Sequence, residues 1–224
     1  MLPVRFNALK VFPYPKECKM PDLRSYVYLD RLQPQFAAYI GANARGYIPV
    51  PGMAAILVEV SPGVVIHRVI DAAVKAANIR PGLMVVERHF GVLEFHSKTQ
   101  ADVKHAGSAV LKSLGLTLAD RFKPKILNSQ VIHKVNAYHA QMTNVSRLCS
   151  MLLPGQDLYI FEVQPAAYIT LAANEAEKNS QITLVDCRTY GAVGRLSLAG
   201  KQADIERASS AAETVIKRLT GKEN

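Results

Sequence analysis

The chain has 224 residues, enough for one large domain or two small ones, and 49% of them are hydrophobic, so each of two halves could bury a core. Three widely spaced cysteines (Cys18, Cys149, Cys187) exclude a disulfide framework, no apolar run reaches the roughly 18 residues of a membrane span, and no secretory signal opens the chain, so a cytoplasmic protein is expected. A net charge of +9 suits anionic partners, but the Lys and Arg residues form no run and Trp is absent, which argues against nucleic acid as the main partner.

In chain order, residues 1–22 hold Pro3, Pro13, Pro15 and Pro21 and read as an extended tail. Arg24 to Leu29, rich in aromatic and β-branched residues, predicts a strand; Gln35 to Ala44 predicts a helix, and Gly46 to Gly52 a turn region. Ala55 to Val60 (AILVEV) predicts a buried strand ended by Ser61-Pro62-Gly63. A helix follows from Val64 to Ala77, with His67, Asp71, Lys75 and Asn78 as one polar stripe on an apolar cylinder. Strands are expected at Leu83 to Arg88 and Gly91 to His96, then a helix over Gln100 to Leu114 and a linker at Asp120 to Pro124.

The sequence then repeats. Pro51-Gly52 recurs 103 residues on as Pro154-Gly155, Glu59-Val60 as Glu162-Val163, Lys75 as Lys178 and Ile79 as Ile182. Further on, Arg88 and Gly91 match Arg188 and Gly191, and Gln100-Ala101-Asp102 matches Gln202-Ala203-Asp204. A period this long exceeds the ~20–50 residues of a solenoid repeat and has the size of a small domain. The second copy is expected to carry a strand from Leu158, a helix from Ala166, strands at Ile182 and Ala192 and a helix from Gln202. The result is an α+β chain: a tail over 1–22, one domain over 23–119 and its copy over 120–224, each with helices on an antiparallel sheet.

Several longer runs resemble one family. Arg24-Ser25-Tyr26-Val27-Tyr28-Leu29-Asp30, Arg31-Leu32-Gln33-Pro34-Gln35, Val85-Val86-Glu87-Arg88, Gln164-Pro165-Ala166-Ala167-Tyr168 and Leu171 through Lys178 are similar to the tandem-domain shell proteins of bacterial microcompartments, of the circularly permuted, carboxysome type. The resemblance implies a ferredoxin-like antiparallel sheet with helices in each copy. It also implies a homotrimer that forms a pseudohexagonal tile beside other hexameric shell proteins, and face-to-face stacking of two tiles. A gated pore on the three-fold axis would pass small anionic metabolites such as bicarbonate, ribulose bisphosphate and phosphoglycerate. No cofactor, metal, membrane or nucleic-acid partner is expected.

The resemblance puts the gate at Glu87 and Arg88, within the turn Glu87-Arg88-His89-Phe90-Gly91. As plain sequence that turn is a solvated hairpin with Gly91 supplying backbone freedom. Three converging arginines would repel one another unless Glu87 or an anion compensates, which makes a two-state element plausible. The second copy of the turn contributes Cys187, Arg188, Thr189 and Tyr190, with Cys187 in the place of Glu87 and Arg188 adding positive potential. A thiolate ring at Cys187 has no Cys-x-x-Cys or His partner behind it. Asp71 and Lys75, with their counterparts Asn174 and Lys178, are expected at the tile edge, the bland alternative being a solvated i,i+4 pair. No Walker A, G-x-G-x-x-G, G-x-S-x-G or metal-spaced histidine pair occurs, so no enzyme is indicated. The rival reading is a basic α+β module that binds nucleic acid or a regulatory anion.

Overall fold

A computed structural model describes residues 20–223. The tail expected over 1–22 therefore lies outside the described residues up to position 19. The first half contains β1 (Asp22–Leu29), α1 (Pro34–Asn43), β2 (Ala54–Ser61), α2 (Ile66–Ala76), β3 (Arg80–Glu87), β4 (Phe90–Ser97) and α3 (Gln100–Leu114). The second contains β5 (Lys125–Ile132), α4 (Ala137–Val145), β6 (Asp157–Gln164), α5 (Ile169–Asn179), β7 (Thr183–Arg188), β8 (Gly194–Gly200) and α6 (Gln202–Lys217). The two antiparallel sheets have the same order, β1-β2-β4-β3 and β5-β6-β8-β7. The repeat is thus a repeat of topology. Short 3-10 turns, Gly63–Val65 and Ala166–Tyr168, stand where the helices were expected to begin.

The run AILVEV is apolar throughout because β2 is an inner strand covered on both faces. Ile56, Val58 and Val60 point to α2 and α3, where Val69, Val103 and Val110 close one core. Ala55 and Leu57 point the other way and join a core that also takes Phe36, Tyr39 and Ile40 of α1 and Tyr159, Phe161 and Ile169 of the second half. The halves therefore share one hydrophobic core. A smaller cluster, built on Val135, Ala140, Leu152 and Leu158, fixes α4 on the second sheet.

The junction between the halves is polar at its rim and closely bonded. Pro34 starts α1, and no side chain of the Gln33 cap receives its free N–H groups. The Glu177 carboxylate on α5 receives them instead, from Gln35 at 2.7 Å and Phe36 at 3.0 Å, a negative charge at a helix N-terminus. Asn174 accepts from the Gln33 N–H at 2.9 Å and donates to the Arg31 carbonyl at 3.1 Å. Gln35 donates to the Ile182 carbonyl and accepts from the Leu184 N–H, so α1 is held against the start of β7.

Candidate functional site

The β3–β4 hairpin carries the first half's expected gate residues. Glu87 pairs with Phe90 across a two-residue turn of Arg88 and His89. Arg88 has φ +52°, in the left-handed region that a non-glycine residue enters at a cost of roughly 1–2 kcal/mol. Its side chain is 89% exposed and lies 3.9 Å (Nε to Oε1) from Glu87, a solvated pair worth little. The base of the hairpin is tied down. The Arg24 guanidinium stacks on the Phe90 ring at 3.6 Å while its Nε holds Glu59 at 2.7 Å, both charges buried. The other Glu59 oxygen accepts from the Ala167 N–H of the second half at 3.0 Å. Burial pushes the Glu59 carboxyl up, opposed by Arg24 and by the N–H groups of Ala167 and Ala166. A loose tip stands on a rigid base.

The β7–β8 hairpin corrects the expected superposition of the two turns. Val60 lies opposite Gly91, and Val163 opposite Gly194, so β4 and β8 keep one register. β3 meets β4 through Leu83–Glu94, Met84–Leu93 and Val85–Val92; β7 meets β8 through Asp186–Ser197, Cys187–Leu196 and Arg188–Arg195. The structural counterpart of Arg188 is therefore Val85, and that of Cys187 is Met84. The match of Arg88 with Arg188 and of Gly91 with Gly191 is three residues out of register. Gly191 stands in the place of Arg88, and its φ of +104° is also positive. Tyr190 stands in the place of Glu87.

The second hairpin's residues separate accordingly. Cys187 is fully buried in the shared core, where burial pushes its thiol well up, so it faces no opening. Thr189 is buried too, its hydroxyl 3.4 Å from the Tyr39 hydroxyl. Arg188 sits at the foot of the hairpin, donating to Asp186 at 3.1 Å and to the Ser146 carbonyl at 3.2 Å. It faces Arg195, which holds Glu162 at 2.8 Å. Gly91 and Gly194 are true equivalents. A Cβ on Gly194 would come within 2.2 Å of the Ala166 carbonyl oxygen, and one on Gly91 within 2.3 Å of the Gly63 carbonyl oxygen. Both hairpins thus seat directly on the 3-10 turns. Gly194→Ala is expected to lose about 1–3 kcal/mol of stability, because backbone and not a side chain must yield; thermal denaturation measures it.

The polar stripe also divides. Lys75 bonds Asp71 at 2.7 Å, both about half exposed on α2. Lys178 is exposed on α5 and lies 3.4 Å from Glu175. Asn174, expected beside it at the edge, is instead fully buried at the junction between the halves. Its amide satisfies both a backbone donor and a backbone acceptor there, a role that helical spacing alone does not reveal.

Two fully buried glutamates escaped the sequence reading. Besides Glu59, Glu94 is fully buried with its Oε1 2.9 Å from His96 Nδ1, and burial pushes its carboxyl up. A glutamate inside an apolar run, as in AILVEV and VLEF, was the available signal. Among the described residues no group of three metal-ligating side chains gathers. No described helix is long and apolar enough to cross a membrane.

Comparison with known proteins gives the family. Residues 23–120 match the CsoS1D N-terminal domain. The chain is 49% identical over 203 residues, 91% of its length and 95% of the other's, to the carboxysome shell protein CcmP of Synechococcus elongatus. Among solved structures, the fused permuted hexameric shell protein MSM0275 of the RMM microcompartment superposes with a TM-score of 0.87 at 42% identity, covering 90% of this chain and all of that one. The double ringed trimeric shell protein MSM0271 of the same compartment gives 0.88 at 40% identity, over 91% of this chain and all of that one. A sheet order repeated twice, on one chain of this length, agrees with those neighbours. The chain belongs to the tandem-domain, permuted shell proteins of the carboxysome, and its role in that shell is structural and not enzymatic.

Proposed function

We propose that three copies close into a pseudohexagonal tile of the shell facet, beside other hexameric shell proteins, with the hairpin tips around a three-fold pore. The gate residues are Glu87 and Arg88, with His89 and Tyr190 on the rim. Small anions such as bicarbonate, ribulose bisphosphate and phosphoglycerate are the cargo. The observation that carries this reading is the contrast at Arg88: an almost fully exposed cation on a positive-φ tip, loosely placed 3.9 Å from Glu87, above a base tied by Arg24, Phe90 and Glu59. Such a side chain can swing between its neighbour and the opening without disturbing the fold. A neighbour described as double ringed and trimeric supports a stacked pair of tiles as a second state.

The test is the mass in solution, by light scattering during size exclusion, with and without ribulose bisphosphate. Three or six chains are expected; a single chain at micromolar concentration would overturn the tile. The edge assignment makes its own prediction. Lys75→Ala is expected to weaken tile-to-tile sheets seen by electron microscopy while the three-chain mass persists, because Lys75 is exposed and its bond to Asp71 is a surface pair worth a few tenths of a kcal/mol. Sheets as extensive as those of the unmodified protein would remove Lys75 from the edge.

A further inference from the structure

The edge strands β3 and β7 are each covered by a strap of chain. Residues 44–50, after α1, run along β3: the Arg45 and Gly46 N–H groups both bond the Gly82 carbonyl at 3.1 Å, and the Tyr47 N–H bonds the Pro81 carbonyl at 2.9 Å. After α4 the Cys149 N–H bonds the Val185 carbonyl and the Ser150 N–H the Leu184 carbonyl, the same pattern one repeat later. What lies beneath the two straps differs. The second covers the apolar cluster of Val185, Leu152, Leu158 and Ala199, and Asn144 holds the Leu152 N–H and carbonyl at 2.9 and 2.8 Å. Beneath the first, Glu94 stands where the second sheet has Ser197, and His96 where it has Ala199. Both are fully buried. Glu94 Oε1 meets His96 Nδ1 at 2.9 Å. The Gly82 and Leu83 N–H groups lie near the carboxyl, but no hydrogen bond closes on Oε2. A charged oxygen left in that position is costly.

Gly82 shows what Oε2 faces. A Cβ there would press on Glu94 Oε2 and stand 2.9 Å from the Tyr47 carbonyl oxygen and 3.3 Å from His96 Cε1, so the two oxygens border one small gap. Two acceptors across a gap repel each other, and a single proton turns them into a hydrogen bond. We infer that Glu94 is a proton-operated latch: protonated, its Oε2–H donates to the Tyr47 carbonyl and holds the 44–50 strap on β3, and ionised it releases the strap. The protonated state also lets Oε1 accept from Nδ1–H of a neutral His96, so both ends of the carboxyl are satisfied.

Every element packed around the latch was considered for charge. The strap brings Arg45 and Tyr47, and β3 brings Arg80, whose guanidinium lies 5.1 Å from the centre of the Tyr47 ring. Lys98 and Asp102 stand at the rim, in a surface pocket walled by Tyr47, Ile48 and Arg80. From α1 come Tyr39, whose hydroxyl is turned to Thr189, and Asn43, whose amide donates to the Tyr39 carbonyl; β2 contributes Ala55 and Leu57. The cations favour the ionised acid, yet burial outweighs them and pushes the Glu94 carboxyl up, with His96 the first influence opposing it. Opening the strap hydrates the carboxyl and returns it toward the ordinary value of about 4.3. The closed strap therefore binds the proton more tightly. Closure is complete at low pH and is lost as pH rises through the closed-strap value, the ratio of open to closed then growing about 10-fold per pH unit. Release carries Tyr47 and Ile48 away from Arg80 and so reshapes the pocket they wall. On a tile that divides two solutions, such a latch reports the proton concentration on the strap's face.

The chain has no Trp, so Tyr47→Trp in the full chain places a single fluorescent reporter on the strap without altering the carbonyl that the latch uses. Its emission is expected to change with rising pH between 5 and 9 as the ring leaves Arg80. Glu94→Gln in the same background gives the Tyr47 carbonyl a permanent amide donor while the amide oxygen still accepts from His96. It is expected to hold the closed-strap emission at every pH. Hydrogen exchange on the unmodified protein, corrected for intrinsic rates, reads the strap independently. Between pH 6 and 8 the amides of residues 45–47 are expected to lose about 10-fold more protection than those of 149–152, whose strap rests on apolar side chains. The latch is overturned if emission and protection of the first strap do not respond to pH. It is equally overturned if Glu94→Gln keeps the full response, or if both straps lose protection together.

Discussion

Arg24→Met is expected to destabilise the protein by about 3–5 kcal/mol, the usual cost of leaving one member of a buried ion pair alone. For a chain of this size that corresponds to a fall in Tm on the order of 10 °C. The methionine keeps most of the volume and still packs on Phe90, so the loss reports charge more than cavity. Burial already pushes the Glu59 carboxyl up, and Arg24 is the largest cause holding it down. Without Arg24 the folded state prefers the protonated acid more strongly. Below about pH 4 both folded and unfolded Glu59 are protonated and the added cost is small. As pH rises through the unfolded value, the unfolded state ionises while the folded one resists, so stability is lost with rising pH. The gap in Tm between Arg24→Met and the unmodified protein should widen from pH 5 to pH 8. A gap that stays constant over that range would mean Glu59 is not the source. Adding Glu59→Gln should recover most of the loss, since the neutral amide costs less to bury and its oxygen still accepts the Ala167 N–H.

Most of the fold was legible because the repeat and the periodicities agree. The helix expected over Gln100 to Leu114 is found over those residues, and AILVEV is a buried strand as its composition implied. What the reading lost, it lost where the two copies do different work. β5 and α4 went unnamed because their counterparts share little chemistry: Arg24 is replaced by Leu127, Gln35 by Tyr138 and Phe36 by His139. Arg24 and Phe36 are buried and Gln35 half-buried inside the chain while their counterparts face outward, so burial imposes no common residue type on them. The hairpin tips were misaligned for a different reason. Arg-x-x-Gly occurs at 88–91 and at 188–191 by coincidence, and strand pairing, which decides register, leaves no mark in a single sequence. Asn174 shows a third limit: helical spacing tells which residues share a stripe, not what lies across from them.

Register decides how many cations line the proposed pore. Read as aligned sequence, each chain would bring Arg88 and Arg188 to the axis, six in a tile. With Gly191 in the place of Arg88, tips of arginine alternate with tips of glycine and the tile has three. An anion passing about 6 Å from each of three guanidinium groups in water gains ~0.7 kcal/mol from each, or ~2 kcal/mol together. That enriches a monovalent anion ~30-fold, and physiological salt, with a screening length of about 8 Å, trims it to roughly 5-fold. Arg88→Ala is therefore expected to leave the three-chain assembly intact, to eliminate the closed pore, and to lower the ratio of bicarbonate to uncharged-solute passage by about 5-fold. Structure determination of the variant tile and flux through reconstituted shells measure the two parts. A closed pore in the variant would end the gating role of Arg88. Arg188→Ala provides the internal contrast: its side chain is committed to Asp186 and the Ser146 carbonyl at the hairpin foot, so the passage ratio should not change. If Arg188→Ala lowered the ratio as much as Arg88→Ala, six arginines and not three would face the axis, and the alternation of charged and bare tips would be wrong.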